Sequence, residues 1–140
     1  MIIDSLLQFS AAQVVTATAP STNSLDLSVA RHGVGEELYI FASLAAPMVG
    51  AGAIIAVTAE FADDAAFTTN VESFSIGTFT AVSAAGAKVF QHLPITKLKQ
   101  RYLQLKYTVS GGTLTASSIN AAIVKDVDAY ESYADAFTIS

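Results

Sequence analysis

The sequence predicts a single all-β domain, an antiparallel β-sandwich or jelly roll, on three observations. Short apolar segments are separated by turn residues about every dozen positions, as in sandwiches and jelly rolls. Several of these segments alternate between apolar and polar residues, whereas only residues 1–10 and 128–137 have weak helical character. The length of 140 residues suits one domain with its own core, so we assign residues 1–140 to it.

The central strands are predicted from their residue patterns. The segment ELYIFASL (37–44) has apolar residues at both alternating positions, which predicts a strand covered on two sides. In AIIAVTAEF (53–61) the odd positions form one apolar face. The segment VESFSIGTFTAV (71–82) is rich in β-branched and aromatic residues, and Gly77 predicts a bend or bulge within it. A further strand is predicted at AKVFQHL (87–93).

The clearest alternation is in RYLQLKYTVS (101–110). A Gly-Gly pair follows, which predicts a tight two-residue hairpin turn, and TLTASSINAAIV (113–124) is expected to run back from it. The apolar phase slips within this return strand, which predicts a bulge near residues 117–118. The side chains expected to face the core from the first strand are Leu103, Leu105, Tyr107 and Val109.

Residues 38–59 carry no charge and are long enough to span a bilayer. Pro47, Gly50 and Gly52 interrupt this segment, and its many Ala and Thr residues favour membrane insertion only weakly. Two buried strands joined by the turn PMVGAG explain it better. The start of the chain carries Asp4 and no basic region, so it does not resemble a signal peptide, and we expect no membrane association.

The composition excludes several classes of protein. Hydrophobic residues make up 52% and charged residues 14%, against roughly 25% charged residues in a typical soluble protein. Such a surface is poorly solvated unless partner subunits cover part of it. The net charge of −5 argues against nucleic-acid binding, and the absence of Cys excludes disulfides and thiolate chemistry. The basic residues are concentrated between positions 88 and 125, and an acidic end follows.

The search for reactive groups predicts no enzyme and no cofactor or metal site. His32 and His92 lie far apart in the sequence and match no metal-binding spacing. The chain has no nucleophile elbow and no phosphate-binding loop. The adjacent carboxylates Asp63 and Asp64 follow a predicted strand, where we expect them to cap a turn rather than perform acid–base chemistry.

Three segments together resemble the small capsid cement (decoration) proteins of tailed bacteriophages. These are MIIDSLLQFSAAQVVTATAPSTNSLDL, AEFADDAAFTT and RYLQLKYTVSGGTLTASSINAAIV, which match an APST-like turn, a "DDaaFt" turn and a "RYLrLxY" strand in the order of that family. The resemblance implies a jelly-roll β-sandwich, and the residue pattern places short arms outside it at roughly 1–12 and 126–140. It also implies a homo-oligomer that binds the major capsid protein on the outer surface of the virion after synthesis in the host cytoplasm.

A dimer is the expected oligomer, and a trimer is the alternative. Two other classes of function remain open. One is another phage structural subunit, such as a tail, fibre or adhesin module. The other is a jelly roll that binds a small ligand.

Two segments are candidates for the capsid contact. The N-terminal arm, Met1 to roughly Ser10, is unusually apolar for a chain end, although it can also pack on its own sandwich. The basic residues of TKLKQR (96–101) share one side of an extended chain, although they can also be solvated charges. The residues expected to contact the partner are Ile2, Ile3, Leu6, Leu7, Phe9, Lys97, Lys99 and Arg101.

Overall fold

The computed structural model describes residues 7–26, 38–81, 83–93 and 100–124, and in these ranges the chain consists almost entirely of strands and turns. The strands are β1 (Gln8–Val14), β2 (Ala19–Pro20), β3 (Leu25–Asp26), β4 (Tyr39–Val49), β5 (Ile54–Ala62), β6 (Glu72–Thr80), β7 (Lys88–His92), β8 (Tyr102–Ser110) and β9 (Ala116–Val124). The predicted all-β fold is confirmed.

The strands form two antiparallel sheets. Sheet A has the order β1-β9-β4-β7, and sheet B has the order β2-β8-β5-β6, with the short β3 also pairing with β8. Because β2 and β3 pair with successive parts of β8, they act together as one interrupted strand. The described chain then has the eight-strand, two-sheet order of a jelly roll, as predicted.

The core lies between the inner faces of the two sheets. Leu103, Leu105 and Tyr107 of β8 are fully buried there, and Val109 packs partly buried against the same cluster. Their alternation with polar residues places every second side chain of β8 on the inner face. The predicted core face of this strand is therefore confirmed. The other large, fully buried side chains are Phe9, Ile40, Phe41, Leu44, Ile55, Phe61, Phe79, Leu93 and Ile119.

The first half of β4, from Tyr39 to Leu44, is covered on both of its faces, as the sequence predicted for this segment. Its inner side chains, which include Ile40 and Leu44, belong to the main core. Phe41 points to the opposite side and forms a second small cluster with Ala122 and Val124 of β9.

The uncharged segment 38–59 forms β4, a short turn and most of β5, which confirms the prediction of two strands. The turn is tighter than PMVGAG because β4 continues to Val49. Gly52 has a φ of 71°, which a side chain disfavours, and therefore allows this reversal. Among the residues described, no helix is long and apolar enough to cross a membrane.

The bulge predicted at Gly77 is present. Val57 of β5 pairs with Gly77 and the next residue, Thr58, pairs with Ser75, so Ile76 is the extra residue in β6. A Cβ at Gly77 would lie 2.7 Å from the Cβ of Val89 in β7. Glycine is therefore required where β6 of one sheet passes close to β7 of the other.

The predicted hairpin at the Gly-Gly pair is wrong. Strand β8 lies in sheet B and β9 lies in sheet A, so residues 111–115 cross between the sheets. Gly111 has a φ of 78°, and a Cβ at Gly111 or Gly112 would collide with the backbone of the turn after β4. The pair allows two loops to pack closely and does not reverse the chain within one sheet.

The bulge predicted in the return strand is also wrong. Leu114 lies before β9, which begins at Ala116. Its burial is therefore not part of the alternation within β9, and counting it with that strand made the alternation seem to shift. The register between β4 and β9 shifts at Ala46 because the extra residues lie in β4.

The boundary of the N-terminal arm also needs correction. The sequence predicted an arm over roughly 1–12, with weak helical character over 1–10, but β1 begins at Gln8 and pairs with β9. Residues 8–12 therefore belong to the sandwich. The predicted arm at 126–140 lies outside the described residues.

Candidate interaction surface

The structure describes three of the eight residues predicted to contact a partner. Leu7 is exposed just before β1, Phe9 is buried and Arg101 is exposed at the start of β8. The other five lie outside the described residues: Ile2, Ile3, Leu6, Lys97 and Lys99.

Phe9 is a core residue, which contradicts its predicted role as a partner contact. It is fully buried in the main core cluster, because the second residue of β1 points into the sandwich. Its carbonyl accepts a hydrogen bond from the backbone of Asn23 at 2.9 Å, which ties the segment between β2 and β3 to β1. The apolar residues of segment 1–10 therefore do not all have the same role. Phe9 stabilises the chain's own fold, whereas Leu7 is exposed.

Arg101 is exposed but is engaged within the chain. Its guanidinium donates two hydrogen bonds to the carboxylate of Asp26, at 3.0 and 2.9 Å, and lies 5.0 Å from the ring centre of Tyr102. These hydrogen bonds and the charge of Asp26 raise the pKa of Arg101. The ion pair joins β3 to the start of β8, so Arg101 has a structural role whether or not it contacts a partner.

The turn that follows β5 is held by a carboxylate, as predicted. Asp64 accepts hydrogen bonds from the backbone N–H groups of Thr68 at 2.9 Å and Thr69 at 2.8 Å, and from the Thr68 hydroxyl at 2.6 Å. The hydroxyl of Thr68 and then the N–H of Thr69 are the main groups that lower the pKa of Asp64. Phe67, in the same turn, has a left-handed φ of 54°.

The outward face of sheet A carries very little charge. Paired residues of neighbouring strands point to the same side, so the register identifies this face. We call it the charge-poor face. Among its described residues, Lys88 is the only Lys, Arg, Asp or Glu. Its residues are Gln8 and Val14 on β1, Ala116, Ser118, Asn120, Ala122 and Val124 on β9, Tyr39, Phe41, Ser43, Ala46 and Val49 on β4, and Lys88, Phe90 and His92 on β7.

Three large apolar side chains are exposed on the charge-poor face, whereas Phe41, Ala122 and Val124 on its two central strands are buried. Val14 is 71% exposed and Val49 is 51% exposed, and the two flank β9 at one end of the sheet. Phe90 is 50% exposed at the other end, where the ring of Tyr39 contacts it edge-on at 6.4 Å. Exposed apolar side chains that lie together, as Val14 and Val49 do, are found at protein–protein contact sites.

The outward face of sheet B is different. Its β6 residues are mostly Ser and Thr, and its centre carries an ion pair between Glu60 and Lys106 at 3.5 Å. Gln104 donates a hydrogen bond of 2.9 Å to the same carboxylate. A cleft of about 250 Å³ lies beside these groups, with Phe67 and Pro20 in its wall. The centre of this face therefore carries paired charges, which the described part of the face of sheet A does not.

The described histidine is His92, which ends β7 and packs edge-on against Tyr39 at 5.4 Å. His32 lies outside the described residues. Within the described ranges, no group of three or more His, Asp or Glu side chains is placed to hold a metal ion.

Sequence reasoning missed the exposed aromatic on β7. The segment AKVFQHL was recognised as a strand, but its position at the edge of sheet A depends on which strands it pairs with. The alternation of side chains along this segment shows that Phe90 and its two direct neighbours lie on opposite faces of the strand. It does not show which of the two faces is turned towards the core.

Comparison with known proteins identifies a family. The family model Bbp16 matches residues 9–123, from within β1 to within β9. No curated protein matches the chain. Among solved structures, the crystal structure of the infectious bursal disease virus VP2 subviral particle matches with a TM-score of 0.43 and 13% sequence identity. The match covers 84% of this chain and 28% of that one, so this chain spans less than a third of that protein's length. Because the family model extends over most of the chain, from the first long strand to the last, the chain belongs to the Bbp16 family.

Proposed function

We propose that this protein is a capsid cement protein of a tailed bacteriophage, which binds the outer surface of the major capsid protein shell and stabilises it. The observation that carries the proposal is the charge-poor face of sheet A, with its exposed Val14, Val49 and Phe90. The resemblance of three segments to the cement-protein family supports it. In this proposal the protein acts by contact alone and is not an enzyme.

The chemistry of the charge-poor face suits tight binding to a large, flat protein surface. Burying a charge costs free energy unless it is paired, and among the described residues of this face Lys88 alone carries a charge. Its Ala, Ser and Val side chains lose little conformational entropy on association. The same face would be an unfavourable surface for a protein that stays alone in water, since grouped exposed apolar residues promote association.

The protein acts as a homo-oligomer in this proposal, with a dimer favoured and a trimer as the alternative. Closed symmetric assembly is the usual way for a chain with apolar exposed surface to cover part of it. Such an oligomer also bridges neighbouring capsid subunits, which is how a small protein reinforces a shell.

Co-sedimentation with undecorated capsids tests the proposal. The test variant replaces Val14 and Val49 with Lys, and the matched control replaces Ser75 and Thr78 with Lys on the exposed outward face of sheet B. Because the test variant would bury two unpaired charges, we expect its apparent Kd for capsids to rise by about tenfold or more. We expect the control to bind like the natural protein. Equal binding by all three proteins would exclude this end of sheet A, and no binding by the natural protein would refute the cement function.

Variants that test the two predicted contact segments must leave the fold intact. A truncation should remove residues 1–6 only, because Phe9 belongs to the core. A basic-segment variant should replace Lys97 and Lys99 with Ser and leave Arg101 paired with Asp26. If both segments contact the capsid, the truncation weakens binding at all salt concentrations, and the Ser variant mainly slows association at low salt. Undiminished binding by both variants would remove these segments from the contact.

A second candidate function is the binding of a small polar ligand in the cleft on sheet B. The observation that favours it is the grouping of Glu60, Gln104 and Lys106 beside the ring of Phe67. A carboxylate, an amide and an ammonium group next to an apolar wall are the features of a small-ligand site. Thermal unfolding of the natural protein and of Gln104→Ala in the presence of simple sugars tests this function. A sugar that stabilises the natural protein and not the variant would support it.

A further inference from the structure

The cleft on sheet B brings polar and apolar side chains from separate segments together. Its polar groups lie on the outward face of β5 and β8, where Glu60 pairs with Gln104 across the two strands and Lys106 follows two residues later. Its apolar groups include Pro20 of β2 and Phe67 in the turn after β5. A concave site with apolar walls and a few convergent polar groups is the usual form of a small-ligand site.

The turn after β5 holds Phe67 in a conformation that bulky residues rarely adopt. Its φ of 54° lies in the left-handed region, which disfavours an aromatic residue. The N–H of Phe67 donates a hydrogen bond of 3.1 Å to the carbonyl of Asp64, and the Asp64 carboxylate accepts the N–H groups of Thr68 and Thr69. Strained residues persist where the surrounding structure fixes them, and they concentrate at ligand sites. The turn therefore keeps an aromatic ring at the cleft in spite of its backbone cost.

The polar groups of the cleft retain hydrogen-bonding capacity. Glu60 accepts a hydrogen bond of 2.9 Å from Nε2 of Gln104 and pairs with Lys106 at 3.5 Å, which leaves further lone pairs on its carboxylate. None of the described groups donates a hydrogen bond to Oε1 of Gln104. The ammonium group of Lys106 is 44% exposed and carries three N–H donors. The cleft thus presents acceptors and donors side by side.

These groups indicate a neutral ligand that both donates and accepts hydrogen bonds. Glu60 and Lys106 already neutralise each other, so a ligand with one charge would leave a charge without a partner. Hydroxyl groups donate to carboxylate and amide oxygens and accept from an ammonium group. Contact with Phe67 and Pro20 requires that the same ligand also has an apolar side. A pyranose sugar has both, because its C–H groups lie on the faces of the ring and its hydroxyls lie around the edge.

We propose that the cleft binds one pyranose sugar, with C–H groups against the ring of Phe67 and hydroxyls on Glu60, Gln104 and Lys106. The volume of about 250 Å³ is below the roughly 300–1,000 Å³ of pockets that take drug-sized ligands, which suits a single small ring. This inference deepens the second candidate function and rests on it, because it names the class of ligand. It is compatible with the cement function, since the cleft lies on sheet B and the proposed capsid contact lies on sheet A.

Saturation-transfer-difference NMR with the natural protein tests the class of ligand. The sugar probes are glucose, galactose, mannose and N-acetylglucosamine, added one at a time. The comparison probes are acetate, which is an anion, and alanine, which carries two opposite charges. We expect saturation transfer to at least one sugar, strongest at the C–H protons of one ring face, and none to acetate or alanine.

Two variants test whether the sugar occupies this cleft. Phe67→Asn removes the ring and introduces a residue that tolerates a left-handed φ, and Gln104→Leu removes the amide. Each should raise the Kd for the sugar by about tenfold or more. The matched control is Thr69→Ala, which changes an exposed side chain of the same turn and keeps the N–H group that Asp64 accepts. It should bind the sugar like the natural protein. Far-UV circular dichroism shows that each variant is folded, and Gln104→Leu carries the test alone if Phe67→Asn does not fold.

The outcomes separate this inference from both candidate functions. Absence of saturation transfer to all four sugars overturns it, and so does sugar binding that the folded variants leave unchanged. Binding of acetate or alanine instead of a sugar, when it is lost in Gln104→Leu, also overturns it but supports a small-ligand site in the cleft. A folded Phe67→Asn variant that no longer co-sediments with capsids overturns it as well, because the cleft is then a capsid contact. Sugar binding that the cleft variants weaken, in a protein that does not bind capsids, supports this inference and refutes the cement function alone.

Discussion

Ionisation of Tyr107 should destabilise the protein at alkaline pH. This side chain is fully buried in β8, and its hydroxyl lies 2.7 Å from the hydroxyl of Ser10 in β1, which links the two sheets. Burial raises the pKa of Tyr107 from 10.0 to about 12, and the hydrogen bond with Ser10 offsets a smaller part of the effect. The folded chain therefore holds the phenol proton more tightly than the unfolded chain does.

The sign and size of the effect follow from linkage. Because the pKa is higher in the folded state, the stability from the neutral phenol is fully present below the unfolded value of 10.0 and is lost as the pH rises towards about 12. Each unit of difference in pKa corresponds to about 1.4 kcal/mol, so the free energy of unfolding should fall by up to about 3 kcal/mol over this window.

Urea unfolding between about pH 7 and pH 12 measures this loss through the dependence of stability on pH. Tyr107→Phe should be about 1 kcal/mol less stable than the natural protein at neutral pH, because it lacks the hydrogen bond. Above pH 10 the variant should lose less stability than the natural protein. Tyr102→Phe is the matched control, because Tyr102 is the half-buried first residue of the same strand. An identical alkaline profile for Tyr107→Phe and the natural protein would refute the reasoning.

Three further changes test the packing and the turn. Leu105→Ala removes a fully buried side chain and should lower the free energy of unfolding by roughly 2–5 kcal/mol, and an unchanged urea midpoint would contradict its place in the core. Gly77→Ala places a methyl group 2.7 Å from Val89 and should cost about 1–3 kcal/mol, seen as a lower Tm, whereas Gly77→Ala with Val89→Ala should recover part of the loss. Asp64→Asn should loosen the turn after β5 and speed amide exchange at Thr68, with little change in Tm. Since its hydrogen bonds lower the pKa of Asp64, this protection should be present at neutral pH and lost as the pH falls through that lowered pKa, and constant exchange rates down to acidic pH would contradict it.

The sequence predicted the strands well because their signal is local. Alternation in β8 identified Leu103, Leu105 and Tyr107 as core residues, and Gly77 identified a bulge. The carboxylate that holds the turn was also predictable, because Asp64 and the N–H groups it accepts lie within a few residues of each other.

The errors concern information that a single segment does not contain. Periodicity identifies a strand but not its partner, so the Gly-Gly pair predicted a hairpin where the chain crosses to the other sheet. Phe9 was predicted to contact a partner because its neighbours at the chain end are apolar, and only the pairing of β1 with β9 shows that it faces the core. The charge-poor face could not be predicted for the same reason, because it combines residues from four strands that are distant in the sequence.

The jelly-roll order gives the two ends of sheet A different surroundings. Strand β4 runs through this sheet from Tyr39 to Val49, which is about 30 Å in an extended strand. Along the first half of β4, Phe41 and the neighbouring Ala122 of β9 are buried on the outward side of the sheet. At the far end of β4, Val49 and the nearby Val14 are exposed. A Lys substitution at either valine should therefore act on the proposed capsid contact without disturbing a buried cluster, which is why these two positions are the ones that test it.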